Sequence, residues 1–471
     1  YTVTFRTTSG SEKSEDVSQI IYTEPAKPGD PSRVSATTSS LTVTWGASSP
    51  ANLDSYQVTI KETDSGDQIG EEAITVDGDA DNLEATIDTG LTPGREYTVE
   101  VTAVVNSVES ETASNSMRIK PSPATEITLM KSKTTELTVQ WSSPQGDYTG
   151  FVASLREVSG DEQTIDAAAD KEVVFDGLSA GTQYTVVVVT KSDDQSSDEG
   201  IAQFYTLPND PSVLEKVSVT TSTITVQWVA PMGNFDGYDI SIKQGGSVVD
   251  TDTFDKADTT YEFTGLNAAE TYTVVLKATV GTGDAESNEI SLVIHTQPNP
   301  TTGLTVTYFD TTTVEFQWTA PDSAKTYTYE YTITALGETP DSVAKTTSQT
   351  SGRTTSLVHG TTYTIEVVAV INGVDSEPAS EEFTLYPDKP DRFRVDSVGK
   401  TYIQVSWDNP SDGTFDGYKL SWTADESSTT KTQELYVVTF QIPDLEPATK
   451  YTIELVAVSN DLESGKTTKT Q

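Results

Sequence analysis

Apolar and polar residues alternate in short runs along this chain, and the runs return at a spacing near 90 residues. The clearest is Tyr97, Val99, Val101 and Ala103, which returns as Tyr451, Ile453, Leu455 and Ala457. A period of two places each set on one face of a half-buried strand. Ahead of the first run stands Leu91-Thr-Pro-Gly-Arg-Glu-Tyr97, and the same six-residue step from Leu to Tyr recurs at 178 and 184, 266 and 272, 357 and 363, and 445 and 451. Pro-Gly, Ala-Gly or His-Gly inside that step breaks one strand before the next begins. A second alternating run ends in tryptophan, first as Leu41-Thr-Val-Thr-Trp45 and then at Trp141, Trp228, Trp318 and Trp407. Tryptophan, apolar positions and the later tyrosine share one phase, so they predict one core per repeat and assign five of the six tryptophans to it.

Between these landmarks a proline loop leads into an aromatic strand, as in Pro231-Met-Gly-Asn-Phe-Asp-Gly-Tyr238, Pro410-Ser-Asp-Gly-Thr-Phe-Asp-Gly-Tyr418 and the looser Pro144-Gln-Gly-Asp-Tyr-Thr-Gly-Phe151. Asp-Gly is expected to supply a tight turn there. The fourth repeat departs, with Ala-Lys-Thr before Tyr327, Tyr329 and Tyr331, which predicts a different surface on that edge. Prolines punctuate every repeat opening, at 28 and 31, 121 and 123, 208 and 211, 298 and 300, and 387 and 390. Proline fixes φ and restricts the residue before it, so the linkers should be stiff. Strands of eight to ten residues make units about 30 Å long, hence a semi-rigid rod of about 150 Å or more for five.

The division that follows is 28–120, 121–207, 208–296, 297–386 and 387–471, each long enough to bury its own core. Tyr1-Thr-Val-Thr-Phe5 aligns with Tyr97-Thr-Val-Glu-Val101, so residues 1–27 are expected to be the last two strands of a truncated repeat with an open edge and core face.

The tryptophan at the end of the second strand, the proline loop to tyrosine, Leu-x-Pro-Gly-x-x-Tyr and hairpins such as Val370-Ile-Asn-Gly-Val-Asp-Ser-Glu377 resemble fibronectin type III domains. The tyrosine that opens the sixth strand also fits the tyrosine corner of immunoglobulin-like sandwiches. The Phe-Asp-Gly-Tyr loops and the Asn-Gly hairpins are most similar to repeats of tenascins and of receptor-type tyrosine phosphatase ectodomains. This resemblance implies an all-β tandem array of seven-stranded sandwiches in an extracellular matrix, fibre or cell-surface protein. Some fibronectin repeats carry Arg-Gly-Asp in the last hairpin. Here the hairpins begin Asn106-Ser-Val-Glu, Asp193-Asp-Gln-Ser, Gly281-Thr-Gly-Asp, Asn372-Gly-Val-Asp and Asn460-Asp-Leu-Glu, which does not support integrin binding by that route.

Charge narrows the partners. With 72 acidic and 29 basic residues the formal net charge is −43, which argues against nucleic acid or an anionic membrane and for a solvated, self-repelling surface. No apolar run reaches the length of a membrane span and no signal peptide opens the chain, which reads as a window from something longer. There is no cysteine, so there is no disulfide, thiolate metal site or thiol nucleophile.

Candidate chemistry is sparse. Asp77, Asp79 and Asp81 alternate around Gly78 and can wrap a hard cation such as calcium, although the loop lacks the bidentate glutamate of an EF-hand and sits between strands, as a solvated acidic turn would. Asp193-Asp194 and Asp198-Glu199 form a second acidic candidate. His295 and His359, the two histidines, lack partners for a triad or a zinc site, and no nucleotide-binding, nucleophile-elbow or metalloprotease motif occurs, so no enzyme is expected. Asn299-Pro-Thr and Asn409-Pro-Ser are blocked as glycan acceptors by their prolines. The function these features favour is a structural or adhesive rod that contacts other proteins, self-association into a fibre among those contacts. A receptor ectodomain that binds an extracellular ligand is the alternative, and a spacer in a secreted enzyme is a third.

Overall fold

The computed structural model describes residues 1–49, 52–157, 162–337 and 342–471. Among the described residues the regular structure is strand throughout, apart from one 3-10 turn at Gly281–Gly283, and no helix is long and apolar enough to cross a membrane.

In the first complete repeat the strands are Ser32–Ala36, Leu41–Thr44, Ser55–Glu62, Gln68–Asp77, Glu84–Ile87 and Glu96–Val105, followed by a seventh in two pieces, Val108–Glu109 and Ala113–Arg118. The first, second and fifth form one antiparallel sheet. The fourth, third, sixth and seventh form the other, in that order. The other four complete repeats have the same two sheets, so each is a seven-stranded sandwich. At the start of the chain, Thr2–Phe5 pairs antiparallel with Val17–Ile20, and Tyr1, Phe5, Val17 and Ile20 stay exposed.

Alternation produces these sandwiches directly. Along Glu96–Val105, Tyr97, Val99, Val101 and Ala103 are all buried, and they meet Leu41, Val43 and Trp45 of the opposite sheet in one core. Fully burying a side chain of this size is worth about 1.5–3 kcal/mol, so each strand's inward face outweighs its modest pairing energy. The predicted tryptophans lie edge-on to an aromatic ring of the third strand: Trp45 to Tyr56, Trp141 to Phe151, Trp228 to Tyr238, Trp318 to Tyr329 and Trp407 to Tyr418, with centroids 5.3 to 5.6 Å apart. The sixth, Trp422, joins the core of the last repeat.

Two hydrogen-bond devices recur in every complete repeat. The tyrosine after the Leu-to-Tyr turn accepts, at Oη, the backbone N–H one residue past the leucine: Thr92 to Tyr97, Ser179 to Tyr184, Asn267 to Tyr272, Val358 to Tyr363 and Glu446 to Tyr451, at 2.6 to 3.0 Å. This is the expected tyrosine corner. The second device breaks the seventh strand. Ser110, Ser197, Ser287, Ser376 and Ser464 are buried, and each accepts at Oγ the N–H of a sixth-strand residue at 2.9 to 3.0 Å. Each then donates to the carbonyl of the residue that follows it.

The Asp-Gly before the third strand does a different job from the one its sequence predicts. Gly237 already lies in the strand Gly237–Gln244, and a Cβ there would sit 2.2 Å from the Phe254 carbonyl oxygen. The glycine therefore makes room for the neighbouring strand and is not needed for a left-handed turn. The aspartate ties the adjacent hairpin: Asp236, Asp416 and Asp54 accept at Oδ2 the N–H of Gly281, Asn460 and Asn106, at 2.5 to 2.8 Å. All three donors have positive φ.

Candidate functional site: the joints between repeats

Each repeat grips its own exit segment before the chain enters the next one. Lys120 donates its N–H to Thr37 O at 3.1 Å, and its carbonyl accepts from Gly94 at 3.2 Å. Leu207, Gln297 and Tyr386 are held in the same way at both backbone groups, with Gly181, Ala269 and Gly360 as the second partners. The prolines of the next repeat follow at 121, 208, 298 and 387.

The residue three past the landmark leucine is therefore the hub of each joint: Gly94, Gly181, Ala269 and Gly360, all in the left-handed region with φ of 57 to 73°. At three joints the next repeat's proline loop lies directly on a glycine hub. A Cβ would come within 1.8 Å of Asp147 O at Gly94, 1.8 Å of Asn234 O at Gly181 and 1.9 Å of Thr414 O at Gly360. Only glycine fits, for both space and φ.

The first and fourth joints share one backbone design. Asp147 N–H donates to Pro93 O, and Thr414 N–H to His359 O, both at 2.9 Å. The buried hydroxyls of Ser192 and Ser459 donate to the hub carbonyls of Gly94 and Gly360 at 2.7 and 2.6 Å. At the second joint Asn234 Nδ2 donates to Thr182 Oγ1 at 2.9 Å.

Charge reinforces the first joint. Arg95 spans it, with Nη1 on Glu62 Oε1 of its own repeat at 2.6 Å and Nε on Asp147 Oδ2 of the next at 2.8 Å. The hydrogen bonds to Asp147 and then Glu62 push the guanidinium pKa further upward. Arg118 meets Asp193 at 2.5 Å and Arg33 meets Asp194 at 2.9 Å, while Lys120 pairs with Asp198. Partial burial pushes the Asp194 carboxyl up, but hydrogen bonds from Arg33 and Gln195 hold it below the ordinary range. The acidic group of the second repeat's last hairpin thus has its counter-charges on the preceding repeat. Of its four members Glu199 alone turns to its own repeat, where it meets Arg156 at 3.2 Å. The sequence reading missed this network because the cations lie 75 or more residues away.

Asp77, Asp79 and Asp81 lie in an exposed turn, where Asp77 Oδ1 accepts the Asp79 N–H at 3.0 Å. Among the described residues no group of three or more Asp, Glu, His or Cys side chains is placed to hold a metal ion. His295 Nδ1 lies 2.9 Å from Thr271 Oγ1, and His359 belongs to the fourth joint, with Nε2 4.0 Å from Asp412.

Two-sheet topology, tyrosine corner and repeated core define the class, and the fibronectin type III domain matches residues 26–119, 121–202, 209–293, 298–385 and 388–471, so the chain belongs to that family. It is 26% identical over 98% of its length to the receptor-type tyrosine-protein phosphatase eta of Gallus gallus, covering 32% of that protein. It is 27% identical over 91% of its length to tenascin-N of Mus musculus, and 24% identical over 98% to tenascin of Gallus gallus, covering 27% and 26% of those proteins. The chain thus spans about a third or less of the length of these relatives. Among solved structures it is similar to a two-domain fibronectin type III segment of chicken tenascin, at 22% identity and a TM-score of 0.28, covering 37% of this chain and 99% of that one.

Proposed function

We propose that this chain is a non-catalytic structural and adhesive rod of an extracellular matrix, fibre or cell-surface protein, and that it works through length, stiffness and contacts with other proteins. The observation that carries this reading is the joint itself. Every exit segment is clamped at both backbone groups, and three of the four hubs are glycines seated against the next repeat. Freely jointed beads would need neither. The likeness to tenascins supports the matrix setting, and the match to a receptor-type phosphatase over 98% of the chain keeps the receptor ectodomain as the second reading. The formal charge of −43 favours partners with basic surfaces and opposes close side-by-side packing at low salt. Sedimentation velocity tests the reading. In low salt an elongated, stiff particle has a frictional ratio well above that of a compact sphere, whereas a frictional ratio close to that of a sphere contradicts the reading.

We propose that the turn at residues 77–82 is solvated and takes no resident calcium. Millimolar calcium should leave the thermal midpoint unchanged, because a ligand that binds only the folded state must raise it. A rise would restore Asp77, Asp79 and Asp81 as ligands.

A further inference from the structure

The third joint is built differently from the other three. Its hub is Ala269, whose side chain is buried in the hydrophobic core of the following repeat with Trp318 and Tyr327. The facing loop supplies a lysine. Lys325 Nζ donates to Ala268 O at 3.0 Å, Ala269 O at 2.9 Å and Glu270 Oε1 at 2.8 Å, so its three protons hold one turn of the preceding repeat. Lys325 and Glu270 side chains are only 22% and 33% exposed. Where the first and fourth joints pass a backbone N–H across, this one passes an ammonium group.

We propose that the joint between the third and fourth repeats is a charge-dependent hinge, closed by Lys325 and loosened when that charge is removed or screened. This rests on the rod reading, because a hinge has meaning only between stiff neighbours. The backbone contacts of the fourth joint carry no formal charge and respond little to ionic strength. An ammonium on a partly exposed carboxylate does respond, since the screening length falls to about 3 Å at 1 M salt. Replacing the lysine would also take one donor from two part-buried carbonyls and from the Glu270 carboxylate.

The chain has no cysteine, so pairs can be placed and spin-labelled cleanly. Thr253→Cys with Ala344→Cys reports the third joint, and Ala344→Cys with Gln433→Cys reports the fourth. All three positions lie exposed on the fourth strand of their repeats. The expected result is a narrow distance distribution at both joints in low salt, with about a twofold broadening in 1 M salt at the third alone. Lys325→Met should broaden the third joint in low salt and abolish its salt response, Lys325→Arg should keep it narrow, and Glu270→Gln, which leaves the packing intact, should move it in the same direction as salt. An unchanged third joint in Lys325→Met, or equal broadening at the fourth, overturns the hinge. Broad distributions at both joints in unmodified low-salt protein overturn the rod reading itself.

Discussion

Single residues explain why five dissimilar repeats hold one fold. Tyr56 Oη accepts the Ser48 N–H at 2.7 Å, three positions past Trp45. In the third repeat that position is Pro231, which has no N–H, and Tyr238 Oη is buried without a well-aligned partner. Burial pushes its pKa upward, opposed in part by the Trp228 indole. Tyr418 faces the same problem at Pro410 and reaches Asn409 Oδ1 at 2.8 Å instead. Tyr56→Phe should therefore destabilise the first complete repeat by about 1–3 kcal/mol, the cost of an orphaned buried N–H, while Tyr238→Phe should be neutral or stabilising in denaturant titrations of the third. Equal losses in both would show that the hydroxyl has another role. The buried tyrosines and tryptophans were legible because their period and ring size admit no exposed reading. The serine at 110, 197, 287, 376 and 464 was equally regular in the chain, but serine is common on exposed strands, so its burial could not be read from type. Ser376→Ala strands the Ala369 N–H and should lower the fourth repeat's stability by about 1–3 kcal/mol, measured by its denaturant midpoint.

At the scale of elements, the Leu-to-Tyr turn does two jobs, and only one was visible in sequence. Gly94, Gly181 and Gly360 read as strand breakers; their second role depends on loops about 53 residues further on that no local pattern connects to them. Gly360→Ala should cost about 1 kcal/mol locally for a methyl in the left-handed region, and should also displace Thr414 and release the fourth joint. Joint-specific loss of amide protection at Thr414 in hydrogen exchange would check this. The third joint carries its own pH signature. The hydrogen bond from Lys325 lowers the Glu270 pKa, aided by one from Gln244 and opposed by burial and by Asp322. The folded pKa therefore lies below the unfolded one, so this contribution is complete above the ordinary glutamate range and fades as pH falls through the depressed value. The third joint should accordingly open on acidification before the fourth, as read by the same spin-label pairs. The departure of Ala-Lys-Thr at the fourth repeat was legible as a difference, but its meaning lay in Ala268 and Ala269 across the boundary.

For the whole molecule, the stiffness proposed above would arise from many local clamps and not from one large interface. Each exit segment is bound to its own repeat before the next begins, so folding of one repeat sets the starting direction of its neighbour. Proline spacing predicts stiff linkers; the clamp on each exit segment, a carbonyl and an N–H on each of Lys120, Leu207, Gln297 and Tyr386, did not show in the sequence because backbone groups leave no mark on residue type. On the proposed rod reading, the net charge of −43 opposes close approach of neighbouring chains at low salt and leaves the joints as the features that set shape. Electron microscopy of single particles tests this most directly, through the distribution of end-to-end distance. Stiff joints predict a narrow distribution centred near about 150 Å for five units of about 30 Å, with any bend concentrated between the third and fourth repeats. A broad distribution with bends spread evenly over all four joints would contradict it.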